Sequence, residues 1–437
     1  SAGAPTNPSV MKTLNTLMTA MAVAVVASAP VSAQTENESR PGFIPQRAII
    51  IHGDAAQADS SVIAVFYSRE NLDFSDADAP RFLLLDRKGK VAFGVGGSLY
   101  AVGSYDFDGA VDDAGFTTYE IAVPNDPSVR QRFGADVSHS SLFAKLVGRS
   151  DRFGIYTVYI QAAFNGGDGG YGFKLKHAYA SIGHLTAGLT TSTFIDGDVQ
   201  APTIDPQGAC GQVTDRSMLF RYTTPSYKGL RGAISVEVPK VSYSFADGAD
   251  GQATAKKIAQ RVPNIPAYVQ YGWDDESHVR LSAIFVDMAY RNLVEQKNVL
   301  SAGWGVKLSA IARLGMFRPF GHVSYGKGIS QFINDISGQG LDMVPDTEAG
   351  KLKPVPSMTW TAGTYVNFTP KCFATASVSR SQIFDTSVLG PDSYRYGMYI
   401  AANAFYNFDS NFRVGAEYLH GIRNNRDGES GHANRVE

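Results

Sequence analysis

Disulfide chemistry is nearly absent from this chain, because two cysteines in 437 residues cannot build a stapled framework. Cys210 falls in an acidic, turn-rich loop and Cys372 at the start of a strand, so both are expected as free thiols. Long apolar runs are missing as well. Apart from a segment near the N-terminus, no window reaches the roughly eighteen consecutive apolar residues of a membrane helix, so any membrane span has to be β. Charge is sparse, with 18% charged residues and a formal net charge of −2. No basic stripe is interleaved with stacking aromatics, which argues against nucleic acid as a partner.

Catalytic and cofactor signatures are lacking in the same way. No G-x-S-x-G turn occurs, and Ser138-His139-Ser140 is a sequence neighbourhood rather than a triad. The stretch from Gly94 to Gly97 has no Lys-Ser/Thr after it and sits in a strand, where glycine permits curvature. Asp106, Asp108, Asp112 and Asp113 crowd Gly109 without the spacing of a calcium loop and are expected to be a solvated outer loop. His177 has no spaced metal partner. The chain is therefore expected to be no enzyme and to hold neither cofactor nor metal.

What the sequence does have is glycine, 44 of them, aromatic residues at 11%, and alternation. Leu185, Ala187 and Leu189 alternate with Thr186, Gly188 and Thr190, then Met218, Phe220 and Tyr222 with Leu219, Arg221 and Thr223. About sixteen such segments begin near Val91, Phe133, Gly154, Gly170, Leu185, Met218, Leu230, Ile265, His278, Val299, Phe317, Pro356, Lys371, Tyr394, Asn411 and His432. Short turns, as at Ile182 to His184 and Asp274 to Glu276, alternate with mostly longer connections such as Gly109 to Gln131, Asp196 to Ser217, Ala246 to Asn264 and Ser330 to Leu352. This pattern predicts an all-β fold: a transmembrane antiparallel β-barrel with short periplasmic turns and long outer loops. Trp304, Tyr406, Phe408 and Tyr418 are expected at the membrane interface or against lipid.

The two ends read differently. Residues 1–10 precede Met11 and look like upstream sequence. Residues 11–33 have the Lys12 charge, the apolar run from Leu17 to Ala29 and the small Val31-Ser32-Ala33 of a signal peptide, with cleavage before Gln34. Residues 34–89 are expected to be a periplasmic extension, with a short helix from Ser60 to Glu70 that puts Val62, Ile63 and Phe66 on one side. The barrel then runs over 90–437. Its last segment stops at Glu437 before any terminal aromatic residue, so the closing strand is expected to be truncated.

Six stretches in order, FKLKHAY (Phe173 to Tyr179), GLTTSTFID (Gly188 to Asp196), Pro202 to Gly211, RYTTP (Arg221 to Pro225), YGKG (Tyr325 to Gly328) and GAEYLHGIR (Gly415 to Arg423), carry a resemblance. The sequence resembles the trimeric porins of Gram-negative outer membranes, in particular the DcaP-like group. That resemblance implies sixteen strands, three barrels per assembly, residence among outer-membrane lipids and a third loop folded inward as the constriction. The N-terminal extension lacks the long heptads known in part of that group. Alternation places Lys145, Lys174, Lys176, Arg221, Arg231, Arg280, Lys307, Arg313 and Arg413 on the lumen side with Glu237 and Glu417, facing an inward loop that carries Asp196, Asp198 and Asp205. Opposed rows of charge across a narrow aqueous gap favour small polar solutes, here with a mild preference for anions. Lys145, Lys174, Lys176, Arg221 and the three loop aspartates are assigned to the constriction, the other charges to the wall. A barrel hydrolase and a surface adhesin without conductance are the alternatives. An energised transporter does not fit, because residues 34–90 are too short for a plug and the chain too short for twenty-two strands.

Overall fold

The computed structural model describes residues 49–50, 59–67 and 82–437, apart from 87, 110, 112–113, 168–169, 245–255, 347–350, 386 and 409–411. The upstream residues, the signal segment, most of the extension, and Asp112 and Asp113 of the crowded outer loop lie outside the described residues.

Among the described residues twenty-one strands form one sheet, and eighteen of them make up sixteen wall segments, the others being Ile49–Ile50, Phe82–Leu85 and Lys256–Ile258. β1 is Val91–Ser98 continued by Val102–Asp108, and β2 is Arg132–Asp136 continued by Ser141–Ser150. β3 to β9 are Gly154–Gly166, Gly172–Ile182, Leu185–Thr191, Arg216–Thr223, Leu230–Glu237, Ile265–Gly272 and His278–Asn292. β10 to β16 are Lys297–Ile311, Phe317–Lys327, Pro356–Asn367, Cys372–Ile383, Tyr394–Asn407, Arg413–Asn425 and Ser430–Val436. The first two segments are interrupted at the same height, where the Ser140 hydroxyl accepts from Tyr100 N–H at 3.0 Å and donates to Val137 O at 2.7 Å.

Each segment pairs antiparallel with the next. β16 returns to the second half of β1 through Asn434 opposite Asp108, Arg435 opposite Asp106 and Val436 opposite Tyr105. The first half of β1 pairs with β2 on one side and with the short strand Phe82–Leu85 on the other. The Arg435 guanidinium, 2.7 Å from Asp106, lies buried at the seam.

The two faces of the wall separate as the period-2 pattern requires. Leu281, Leu300, Leu308, Phe220 and Ile234 are 50–58% exposed, whereas Ser282, Lys307, Ser309 and Ser235 on the other face are at most 3% exposed. Phe153, Tyr227, Trp273, Phe368, Phe408 and Phe412 stand exposed beside the short turns, an aromatic girdle at that end of the barrel. Both cysteines are free, Cys210 buried and Cys372 half-buried.

Three long loops fold over the inner face and form the packed interior. Phe194 and Ile195 of loop 192–215 meet Ile329 and Phe332 of loop 328–355, together with Ile284 and Met288 of β9. Phe116 and Ile121 of loop 109–131 meet Tyr399 of β14 and Leu419 of β15. Gly421 makes that second contact possible, since a Cβ there would run into the Phe116 ring.

Candidate pore constriction

Loop 192–215 leaves β5 and returns to β6 through a neck closed by Ser192 N–H donating to Asp215 O at 3.1 Å. Glu237, the last residue of β7, steadies its first turn by accepting from Thr193 N–H at 2.8 Å and from the Ser235 hydroxyl at 2.7 Å. Asp196 then enters the wall. Its carboxylate lies 3.0 Å from His278 Nε2, 2.5 Å from the Ser309 hydroxyl and 3.5 Å from Arg280 Nη2. Arg280 Nη1 also donates to Ile195 O at 2.8 Å. Burial opposes charge on Asp196, but Arg280, His278 and Lys307 prevail and hold the carboxyl far below the usual carboxylate range. Asp198 is pushed up by burial and by the neighbouring Asp196.

From there the loop runs across to the opposite wall. Gln200 O accepts from the Tyr365 hydroxyl at 2.9 Å, and Pro202 O from Asn403 Nδ2 at 2.7 Å. Glu417 accepts the N–H groups of Ile204 and Asp205 at 3.1 and 2.8 Å. Asp205 is an internal brace, accepting from the N–H groups of Phe116, Gln207 and Gly208 and from the Tyr399 hydroxyl, all at 2.9–3.0 Å. Burial pushes its carboxyl up against those bonds. The far end is held by Ser379, whose hydroxyl accepts Gly211 N–H at 2.8 Å, and by His322 Nε2, 3.1 Å from Gly211 O.

The expected open gap between acidic loop and basic wall is therefore not present at Asp196 or Asp205. A carboxylate this deeply buried has to be paired or saturated with hydrogen-bond donors, and the loop spends both groups on docking. Asp196, Asp198 and His278 offer ligand atoms within 4.8 Å of one another. Arg280 and the buried Lys307 already supply positive charge there, so the trio forms an ion-pair cluster.

The remaining charges divide into three groups. Arg221 and Arg231 face the lumen half-buried, with Arg221 Nη1 donating to Thr191 O at 3.3 Å and Arg231 Nη2 to Gln270 Oε1 at 3.2 Å. Arg280, Lys307, Glu237 and Glu417 are buried inward and clasp the loop. Arg413 sits at the turn-side rim of β15, its guanidinium 5.2 and 5.7 Å from the stacked Phe373 and Phe405 rings.

Two expectations need correcting. Arg313 is not in the wall: β10 ends at Ile311, Gly315 with φ +63° turns the chain, and Arg313 pairs at 2.6 Å with Glu276 of the adjacent turn. Lys174 and Lys176 do not share a regular face. A bulge between Gln161/His177 and Ala162/Leu175 leaves Lys176 without a cross-strand position, and Lys174 lies exposed opposite Ala163. His177 takes the inward place, 3.1 Å from Thr190 Oγ1 and accepting from Arg216 Nε at 3.2 Å. Lys145 faces inward but is buried, donating to Val65 O at 2.9 Å.

Sequence reasoning missed Arg216, His278, Ser309, His322 and Asn403. His278 and Ser309 were accessible through parity, each two residues from a named cation on the same face. The Ser138–His139 neighbourhood has Asp136 beside it, but Ser138 Oγ at 3.4 Å and Asp136 Oδ2 at 3.3 Å both approach His139 Nδ1, while Nε2 faces Asn165 at 3.0 Å. A serine–histidine–aspartate relay needs its serine and carboxylate on opposite ring nitrogens.

The strand ring, its apolar outer face and a loop pinned across the lumen define an outer-membrane β-barrel of the porin fold. Residues 75–241, which include β1 to β7 and the inward loop, match the DcaP outer membrane protein family. The outer membrane channel DcaP of Acinetobacter baumannii superposes with a TM-score of 0.67 at 19% identity, covering 80% of this chain and 96% of that one. An anion-selective porin from Comamonas acidovorans gives 0.51 at 11% identity, over 79% and 98% of the two chains. Salmonella typhi OmpF, in complex with daunomycin, gives 0.50 at 10%, over 79% and 96%. No curated protein matches the chain. The protein is a porin-like barrel of the bacterial outer membrane.

Proposed function

We propose that the protein is a passive diffusion pore for small hydrophilic solutes with a mild preference for anions, and that it works as a homotrimer embedded among outer-membrane lipids. The observation that carries this reading is an imbalance of charge in the lumen. The acids Asp196, Asp205, Glu237 and Glu417 are buried and committed to holding loop 192–215. Arg221 and Arg231 on β6 and β7 stay half-buried on the inward face, bonded to a backbone carbonyl and an amide rather than to a carboxylate. Glu237 acts on Arg221 and Asp198 on Arg231 through space, but neither arginine is ion-paired among the described residues, and a cation held this way beside water lowers the barrier to anions.

The test is the reversal potential across a planar bilayer under a KCl gradient. Arg221→Gln and Arg231→Gln together are expected to move the potential toward zero with little loss of conductance. An unchanged potential would remove the assignment of selectivity to these two residues.

A further inference from the structure

The helix α1, Ser60–Tyr67, lies on the inner face of the barrel wall. Val62, Ile63 and Phe66 are at most 1% exposed, packed on Leu85, Ala92 and Val147. Ala92 and Val147 are paired with each other, and Val147 shares its face of β2 with Phe143 and Lys145, opposite the outward Leu142. The burial of this helix is therefore inside the barrel. It sits at the turn-side end, because β2 ends at Ser150 and the turn 151–153 follows.

Polar contacts fix it there. Asp59 caps the helix, accepting Ser61 N–H at 3.0 Å, and its other oxygen meets Arg149 Nη1 at 2.8 Å. Lys145 Nζ donates to Val65 O at 2.9 Å. Lys145 and Arg149 are both cations of the inward face of β2, and the α1 segment engages both. Ser60 and Ala64 are exposed on the opposite side of the helix.

We infer that α1 is a second restriction of the pore at its periplasmic end, and that it tunes selectivity by burying Lys145 and pairing the exposed Arg149 with Asp59. The inference rests on the porin reading above and extends it to an element outside the wall. A helix is about 10 Å across, so one lying on the inner wall removes a substantial part of the lumen's cross-section. Loop 192–215 is pinned to β9–β15, whereas α1 is pinned to β1 and β2, so a solute passes two restrictions in series. Release of α1 widens the second one and returns two cations to the lumen.

Two sets of variants of the full chain, recorded as single channels in a KCl gradient, test this. Ile63→Asn with Phe66→Asn undocks the helix without adding charge and is expected to raise conductance by roughly a factor of two and to shift the reversal potential toward anions. Adding Lys145→Gln to that pair should take back part of the shift. The milder variant is Ala64→Cys in a Cys372→Ser background, treated from the periplasmic side with a negatively charged methanethiosulfonate reagent. Current is expected to fall as the thiol reacts. Wild-type conductance and potential in the undocked variant, or full modification of the introduced thiol by mass without a change in current, would overturn the inference while leaving the porin reading intact. A folded, heat-modifiable wild-type chain that passes no current would sink the porin reading and this inference together.

Discussion

Asp196 shows how a single residue converts a loop into part of a wall. It is 1% exposed, and its partners come from β9 and β10, 82 and 113 residues further along the chain. Asp196→Asn leaves Arg280 and Lys307 buried without their counter-charge, and the expected cost is about 3 kcal/mol of loop docking. Hydrogen exchange of amides 193–214 measures it: faster exchange confined to this loop is expected, and unchanged protection would mean that Asp196 does not anchor it. A second residue-scale effect concerns pH. Burial pushes Asp335 up to about 7 and Asp342 up to about 6, both from 3.8. A carboxyl raised in the folded state contributes stability that is full below its unfolded value and is lost as pH rises through the folded one. Packing of loop 328–355 is thus expected to be tightest below about pH 4 and to loosen progressively toward pH 7. Asp335→Asn with Asp342→Asn should flatten that dependence, with protection of the loop against a protease as the readout.

At the scale of elements, close approach decides the outcome. The far end of loop 192–215 lies so near β13 that a Cβ on Gly211 would collide with the backbone oxygen of Arg380. Gly211→Val is expected to cost about 1–3 kcal/mol and to lift that end of the loop, which would appear as higher and noisier conductance with an unchanged barrel melting temperature. The elements were mostly legible in the sequence. Alternation located all sixteen segments within a few residues, and the spacing of Val62, Ile63 and Phe66 marked the buried face of α1. Period names a face but not the surface that covers it. The seat of α1 inside the barrel and the wall partners of Asp205, Tyr399 and Glu417 at 194 and 212 residues' distance, were therefore out of reach. Register arguments failed where the ladder is irregular, at the bulge beside Lys176 and at the strand end before Arg313.

At the scale of the molecule, the wall supplies a water-filled frame and the loops decide what is left of it. In the proposed pore Asp196, Asp205, Glu237 and Glu417 hold the inward loop, while Arg221 and Arg231 stay on the inward face with their hydrogen bonds on a backbone carbonyl and an amide. That division of roles is the central claim, and it bears on one quantity. Single-channel current of the wild-type protein in a planar bilayer, with the reversal potential read under a KCl gradient, tests it most directly. A steady open current with a weak preference for chloride is the expected result. A well-folded barrel that conducts with a preference for potassium would contradict the account.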